Sequence, residues 1–140
     1  MDGSPLSREA LAVALTDYPD ASVTVLYVAD PTEPAAGGNL EVDPDVTPPT
    51  GSEAWREGER ERAEAVFESA REVAAEHDAE VDTETTVDRA ATGIVDAAER
   101  YDADVVVMGS HGREESARFL LGSVSELVAF RAPCRVLLVR

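Results

Sequence analysis

Lysine is absent from this chain of 140 residues: all 12 basic residues are arginine, against 29 aspartates and glutamates and a net charge of −17. A body this acidic repels polyanions. Nucleic acid and anionic membrane are therefore not expected as partners, since both are held by basic patches. Self-repulsion also destabilises a small domain at low ionic strength, and molar salt screens it by shortening the Debye length to about 3 Å. The composition suits a protein working in concentrated salt, as in salt-accumulating halophiles; an ordinary acidic protein is the alternative. Cysteine is almost missing as well. Cys134 alone allows no internal disulfide, which agrees with a reducing compartment. Two histidines, His77 and His111, together with one cysteine offer no metal-ligand spacing. No apolar run approaches the roughly 20 residues that cross a bilayer, and the acidic N-terminus does not resemble a signal peptide. A soluble, cytoplasmic protein is expected.

What is present is an alternation of helix and strand signals over a length that suits one domain, residues 1–140, around one core. Ser4-Pro5 reads as an N-cap followed by the first helical position. Leu6, Ala10, Val13 and Ala14 then recur at helical spacing until Asp17-Tyr18-Pro19-Asp20. Val23–Val28 is β-rich and apolar, a buried strand. Residues 30–52 carry five prolines and three glycines and read as a flexible loop. A long amphipathic helix spans Glu53–His77, with Ala63, Val66, Phe67, Ala70, Val73 and Ala74 as its buried stripe. Trp55, beside the loop, reads as a staple of this helix rather than a ligand cover. Val81–Val87 alternates valine with polar residues, an edge strand with one wet face. Asp88 can cap a third helix whose inner face is Ala91, Ile94, Val95, Ala98 and Tyr101. Asp104–Met108 reads as a parallel strand buried on both faces. A fourth helix runs from Gly122-Ser123 to about Arg131, and Arg135–Val139 is the last strand. The order predicts an α/β fold: an open, mostly parallel twisted sheet with helices on both faces.

In such sheets ligands bind beyond the carboxyl ends of the strands. The feature placed there is Gly109-Ser110-His111-Gly112, nine further residues, then Gly122-Ser123. Gly109 lacks a Cβ, so a ligand could lie against the backbone as the strand ends. Gly112 can take a positive φ and fold successive amides into an anion-binding concavity. Gly122-Ser123 opens a helix whose free N–H groups favour phosphate. Arg113 and Arg118 lie in the same segment and could charge-pair with phosphate oxygens. A plainer alternative stands beside this. Ser123-Val124-Ser125-Glu126 is a capping-box pattern that serves only its own helix, and glycines after a strand are common turn residues. No lysine follows the glycines, so the motif is not a Walker A loop.

The Gly-x2-Gly-x9-Gly-Ser signature after an Asp-x-Val-Val-Met strand resembles the nucleotide-binding motif of the universal stress protein family, in its ATP-binding class. Tyr101-Asp102-Ala103-Asp104 before that strand, Ala132-Pro133-Cys134-Arg135-Val136 before the last, Asp2-Gly3-Ser4 and Tyr27-Val28 resemble the family's surroundings. The resemblance covers essentially the whole chain and implies a Rossmann-like, adenine-nucleotide α-hydrolase-like fold. It implies that Asp2 and Val28 meet the adenosine and that Met108 and Gly109 pack beside ribose and base. Gly112, Arg113, Gly122, Ser123, Val124 and Ser125 would surround the phosphates. ATP, ADP or AMP is the implied ligand, with Mg²⁺ bridging phosphate oxygens, and a homodimer through the C-terminal strand Val136–Val139 is the implied partner. A free apolar edge supplies the physical reason. No catalytic residue or protein-held metal is expected, and turnover, if any, is slow ATP hydrolysis.

The departure from the family is at the start. Members open with an apolar strand, central in the sheet, before the Asp-Gly-Ser loop, whereas this sequence opens at Met1-Asp2. Four or five buried aliphatic side chains contribute roughly 1.5–3 kcal/mol each, close to the whole stability of a domain, about 5–15 kcal/mol. Three expectations follow: a true start further upstream, which is favoured; strands on either side of the gap closing up and pairing; or a partner chain filling the slot. If the gap is real, Asp2 becomes a mobile terminal residue. A dimeric scaffold that binds no nucleotide is then the rival function. An ATP pyrophosphatase would need a Ser-Gly-Gly-x-Asp-Ser loop near the N-terminus, which is not there. His111 reads as loop structure, His77 as a helix-end partner of the dipole, and Cys134 as packing.

Overall fold

The computed structural model describes residues 1–32, 48–111 and 121–140. Four helices and four strands alternate along it: α1 Pro5–Asp17, β1 Thr24–Ala29, α2 Glu53–Glu76, β2 Asp82–Val87, α3 Ala90–Arg100, β3 Val105–Gly109, α4 Ser123–Arg131 and β4 Arg135–Val139. Local chemistry explains most boundaries. Ser4 caps α1 by accepting from the Ser7 amide, with Pro5 at the first helical position, and Ser52 caps α2 by accepting from the Trp55 amide. Helices α2 and α3 are each followed by an aspartate in the left-handed region, Asp78 and Asp102, both at φ 50°. Their short polar side chains tolerate that conformation, and it lets the amides of Ala79 and Ala103 return to Ala74 O and Ala98 O.

All strand pairing is parallel. β1 pairs with β2 from Thr24↔Asp82 to Ala29↔Val87, and β3 pairs with β4 from Val105↔Arg135 to Gly109↔Val139. The α/β architecture with parallel strands is thus as expected, but the sheet is divided: among the described residues β1 and β3 do not pair, and two two-stranded sheets result. The expectation that the strands flanking the gap close up is therefore not met. The helices do bridge the divide. α1 packs on β3 and β4 and against α2, which packs on β1; α3 packs on β1 and against α4, which packs on β4. The two helical pairs cover opposite faces. Val25, Tyr27 and Ala29 enter one core with Leu11, Leu15 and the α2 stripe, while Val28, pointing the other way along the strand, meets Gly93 of α3.

Three details depart from the sequence reading. β3 is partly buried along its whole length rather than fully buried on both faces, because among the described residues only β4 flanks it. Tyr101 is exposed and hydrogen-bonds Glu84 instead of facing the core, and Gly93 joins the buried face of α3. Asp88 is not the side-chain cap of α3. The cap position is Arg89, and the Ala90 amide donates to Asp30 Oδ2 at 2.8 Å, across from the end of β1. The α2 stripe is buried as expected, and Trp55 is buried in the same core.

Candidate nucleotide site

β3 and β4 end side by side, and the chain leaves β3 through a tightly tied corner. The Ser110 amide donates to Val139 O at 2.7 Å, and the Gly122 amide donates to Ser110 O at 2.8 Å. Ser125, 3% exposed, donates its hydroxyl to Gly109 O at 2.9 Å. The start of α4 is therefore pinned against the carboxyl end of β3 by one backbone and one side-chain hydrogen bond. A Cβ on Gly122 would stand 3.2 Å from both Ser110 O and His111 Cα. Glycine there permits two backbone segments to approach more closely than an alanine comfortably allows.

Gly109 has a different use from the one its sequence suggests. A Cβ there would lie 2.9 Å from Leu6 Cβ and 3.2 Å from His111 O. The missing side chain makes room for α1 and for the chain's own turn. Ser123 likewise departs from the capping-box reading. Gly122 occupies the cap position, no side chain caps the helix, and Ser123 is its exposed first residue. Helix geometry leaves the amides of Ser123, Val124 and Ser125 without intrahelical acceptors, so the partial positive end of α4 lies at the β3 terminus. Ser110 Oγ and His111 Nδ1 are 3.0 Å apart, so His111 is engaged within the turn.

Met1 reaches the other half-sheet, and Asp2 folds onto the start of α1. The Met1 amino group donates to Leu26 O of β1, and Asp2 Oδ1 accepts the Ser4 amide at 2.9 Å. Burial alone pushes the Asp2 carboxyl up. Hydrogen bonds from the Ser4 hydroxyl and amide and the Ser7 hydroxyl, with the neighbouring ammonium, outweigh it and hold the group below the ordinary aspartate range. Asp2 is half-buried and tied down, not the mobile terminal residue expected for a divided sheet. The structure brings Gly109, Gly122 and Ser125 together at the corner, with Met108 one residue before it and Ser123 and Val124 in the first turn of α4; Asp2 sits at the start of α1 against Ser4, and Val28 faces Gly93 of α3. Gly112, Arg113 and Arg118 lie outside the described residues. The signals that sequence reading missed are Leu6 and Ser110, an ordinary core residue and an unremarked motif filler. Among the described residues no cluster of histidine, cysteine or acidic side chains could hold a metal, and no helix is long and apolar enough to cross a membrane.

Parallel strands, helices on both faces and a glycine-framed strand-to-helix corner define the Rossmann-like class of α/β proteins. Comparison with known proteins narrows this. The profile of the Universal stress protein family matches residues 1–140, and the chain belongs to that family. A universal stress protein of Methanocaldococcus jannaschii is 34% identical over 142 residues, covering 99% of this chain and 78% of that protein. The universal stress protein UspA from Lactobacillus plantarum superposes with a TM-score of 0.72 at 24% identity, over 100% of this chain and 93% of that one. A universal stress protein solved in complex with cAMP gives a TM-score of 0.66 at 23% identity over 100% and 92% of the two chains. One from Archaeoglobus fulgidus, solved in complex with dAMP, gives 0.60 at 18% identity over 100% and 92%.

Proposed function

We propose that this protein binds an adenine nucleotide, ATP or its relatives ADP and AMP, at the corner between β3 and α4, in a stress-response role. The observation that carries the reading is the pinning of the α4 N-terminus to the carboxyl end of β3 through Gly122–Ser110 and Ser125–Gly109. That arrangement presents the Ser123, Val124 and Ser125 amides and the Ser123 hydroxyl to an incoming phosphate. Gly112 and Arg113 belong to the same proposed phosphate half, while Asp2, Val28, Met108 and Gly109 form the adenosine half across the divide. Adenine nucleotides held by two solved family members support the ligand class. With no acidic cluster among the described residues, Mg²⁺ would be carried by the nucleotide's own phosphates. The reading includes a cytoplasmic homodimer formed by pairing of the β4 edges, since β4 has a strand partner on one side only among the described residues.

Calorimetric titration with Mg-ATP, Mg-ADP and AMP in molar KCl tests the proposal. Saturable binding is expected, and Ser123→Ala should weaken it about tenfold, the loss of one hydrogen bond to a charged group. Ser123 is exposed, so the variant should keep the wild-type fold. Folded protein that binds none of the three nucleotides would make it the scaffold alternative, favoured by the divided sheet on the adenosine side.

A further inference from the structure

Strand β2 keeps an open edge and an open face among the described residues. In a parallel pair, alternate residues turn their backbone groups toward the neighbouring strand. The Asp82 amide donates to Val23 O and the Asp88 amide to Ala29 O, so Asp82, Glu84 and Thr86 address β1. The backbone groups of Thr83, Thr85 and Val87 point the other way, where the order of strands ends. The two faces differ as well. Helix α3 covers one of them: Gly93 lies against Thr86, and Arg100 and Tyr101 hold Glu84. On the other face Thr83, Thr85 and Val87 are exposed, Val87 by 60%.

Sheet edges are usually blunted by proline, lysine, a bulge or a covering element. Asp82–Val87 contains no proline or lysine, and its register with β1 runs unbroken through all 6 residues. Acidic charge is the device that remains. Glu80 and Asp82 are exposed and form no ion pair among the described residues, while Glu84 is paired with Arg100. Against a second copy of this chain that charge is a barrier, because acids would face acids across the new ladder. Toward a basic strand it is an attraction.

We infer that the outer edge of β2 docks an extended, basic segment of a partner protein, which joins β1 and β2 as a third strand. The backbone groups of Thr83, Thr85 and Val87 supply the hydrogen bonds, and alternate side chains select the partner. On the α3 side, lysine or arginine stands opposite Asp82 and Glu84. On the open side, β-branched residues stand opposite Thr83, Thr85 and Val87, a cross-strand pairing that such side chains favour. The matching segment therefore alternates basic with β-branched residues. The site belongs to the half-sheet that does not form the β3–α4 corner, so it stands whether or not a nucleotide binds there.

The test titrates the full chain with a short peptide of alternating valine and lysine, and with one of alternating valine and glutamate. It is run at the lowest KCl concentration that keeps the native circular dichroism, since screening would mask the charge preference. Anisotropy of labelled peptide gives the affinity, and hydrogen exchange follows the Thr83, Thr85 and Val87 amides. The lysine peptide should bind saturably and slow exchange at these amides about tenfold or more, and the glutamate peptide should do neither. Thr85→Pro removes an outward donor that β1 does not use, a change that edge strands tolerate. It should weaken binding about tenfold with an unchanged spectrum. If that variant fails to fold, Asp82→Lys at its exposed position decides: affinity for the lysine peptide should fall about threefold or more, and no change overturns the inference. A lysine peptide that leaves the three amides exchanging freely overturns it, as does binding that a folded Thr85→Pro leaves intact. Equal binding of both peptides removes the basic partner. Protection of these amides that grows with protein concentration in the absence of peptide makes a second copy the occupant, and the inference falls.

Discussion

Gly109 shows how one residue can answer two different questions. Its missing Cβ is the feature that a bound ligand would exploit, yet the space is taken by Leu6 and by the turn at His111. Neither obstacle is the end of a flexible side chain: one is a helix Cβ at 2.9 Å and the other a backbone carbonyl at 3.2 Å. Gly109→Ala should therefore destabilise the fold by about 1–3 kcal/mol through overpacking, a fall of several degrees in Tm for a domain of this size. Thermal unfolding in constant molar salt checks it. A Tm equal to wild type would mean that α1 shifts freely and that the glycine is kept for another reason. Gly122 is milder, since both of its close contacts are at 3.2 Å, and its substitution should disturb the corner more than the fold.

At the scale of elements, the helix starts divide into those that cap themselves and those capped from a distance. Ser4 and Ser52 each serve the helix that follows them directly. Helix α3 does not. Its Ala90 amide reaches Asp30 Oδ2, while Asp30 Oδ1 accepts from the Thr32 amide and hydroxyl at 2.8 and 2.6 Å. Asp88, the cap that the sequence suggests, instead accepts from the Arg89 amide at 2.6 Å in the preceding turn. Asp30→Ala should then cost about 1 kcal/mol, as loss of a capping carboxylate does, and Asp88→Ala less. Denaturant midpoints of the two variants decide the order, and a larger effect at Asp88 would refute the distant cap. The strands show the same dependence on surroundings. The β3 run of valines predicts burial on both faces, but with one strand neighbour among the described residues the element is left only partly buried.

For the whole molecule the ruling quantity is charge. The ion pairs join exposed or partly exposed side chains, most of them within α2, and pairs of that kind contribute only about 0–1 kcal/mol each. They cannot offset a net charge of −17. Stability should therefore rise steeply as KCl is raised from low to molar concentration and screening shortens the range of repulsion. Thermal melts across a KCl series measure this, and a Tm indifferent to salt would exclude an adaptation to concentrated salt.

Much of this is legible in the amino-acid sequence alone. The 3.6-residue stripe of α2, the Ser4-Pro5 start, the apolar strand runs and the glycine signature depend on residues close together in sequence, so period and local hydrogen-bonding chemistry are enough to read them. Family membership follows from the same short-range pattern. Tertiary structure alone decided what neighbours from distant segments do. It placed Leu6 in the space beside Gly109, brought Asp30 to α3 in place of Asp88, and tied Asp2 to Ser4 while Met1 reached Leu26. It also left the sheet in two halves bridged by helices rather than closed. Each of these turns on which atoms fill a given volume or satisfy a given N–H, and a linear pattern carries no record of that. The chemistry of the β3–α4 corner was therefore readable in the chain, and the shape of the space around it was not.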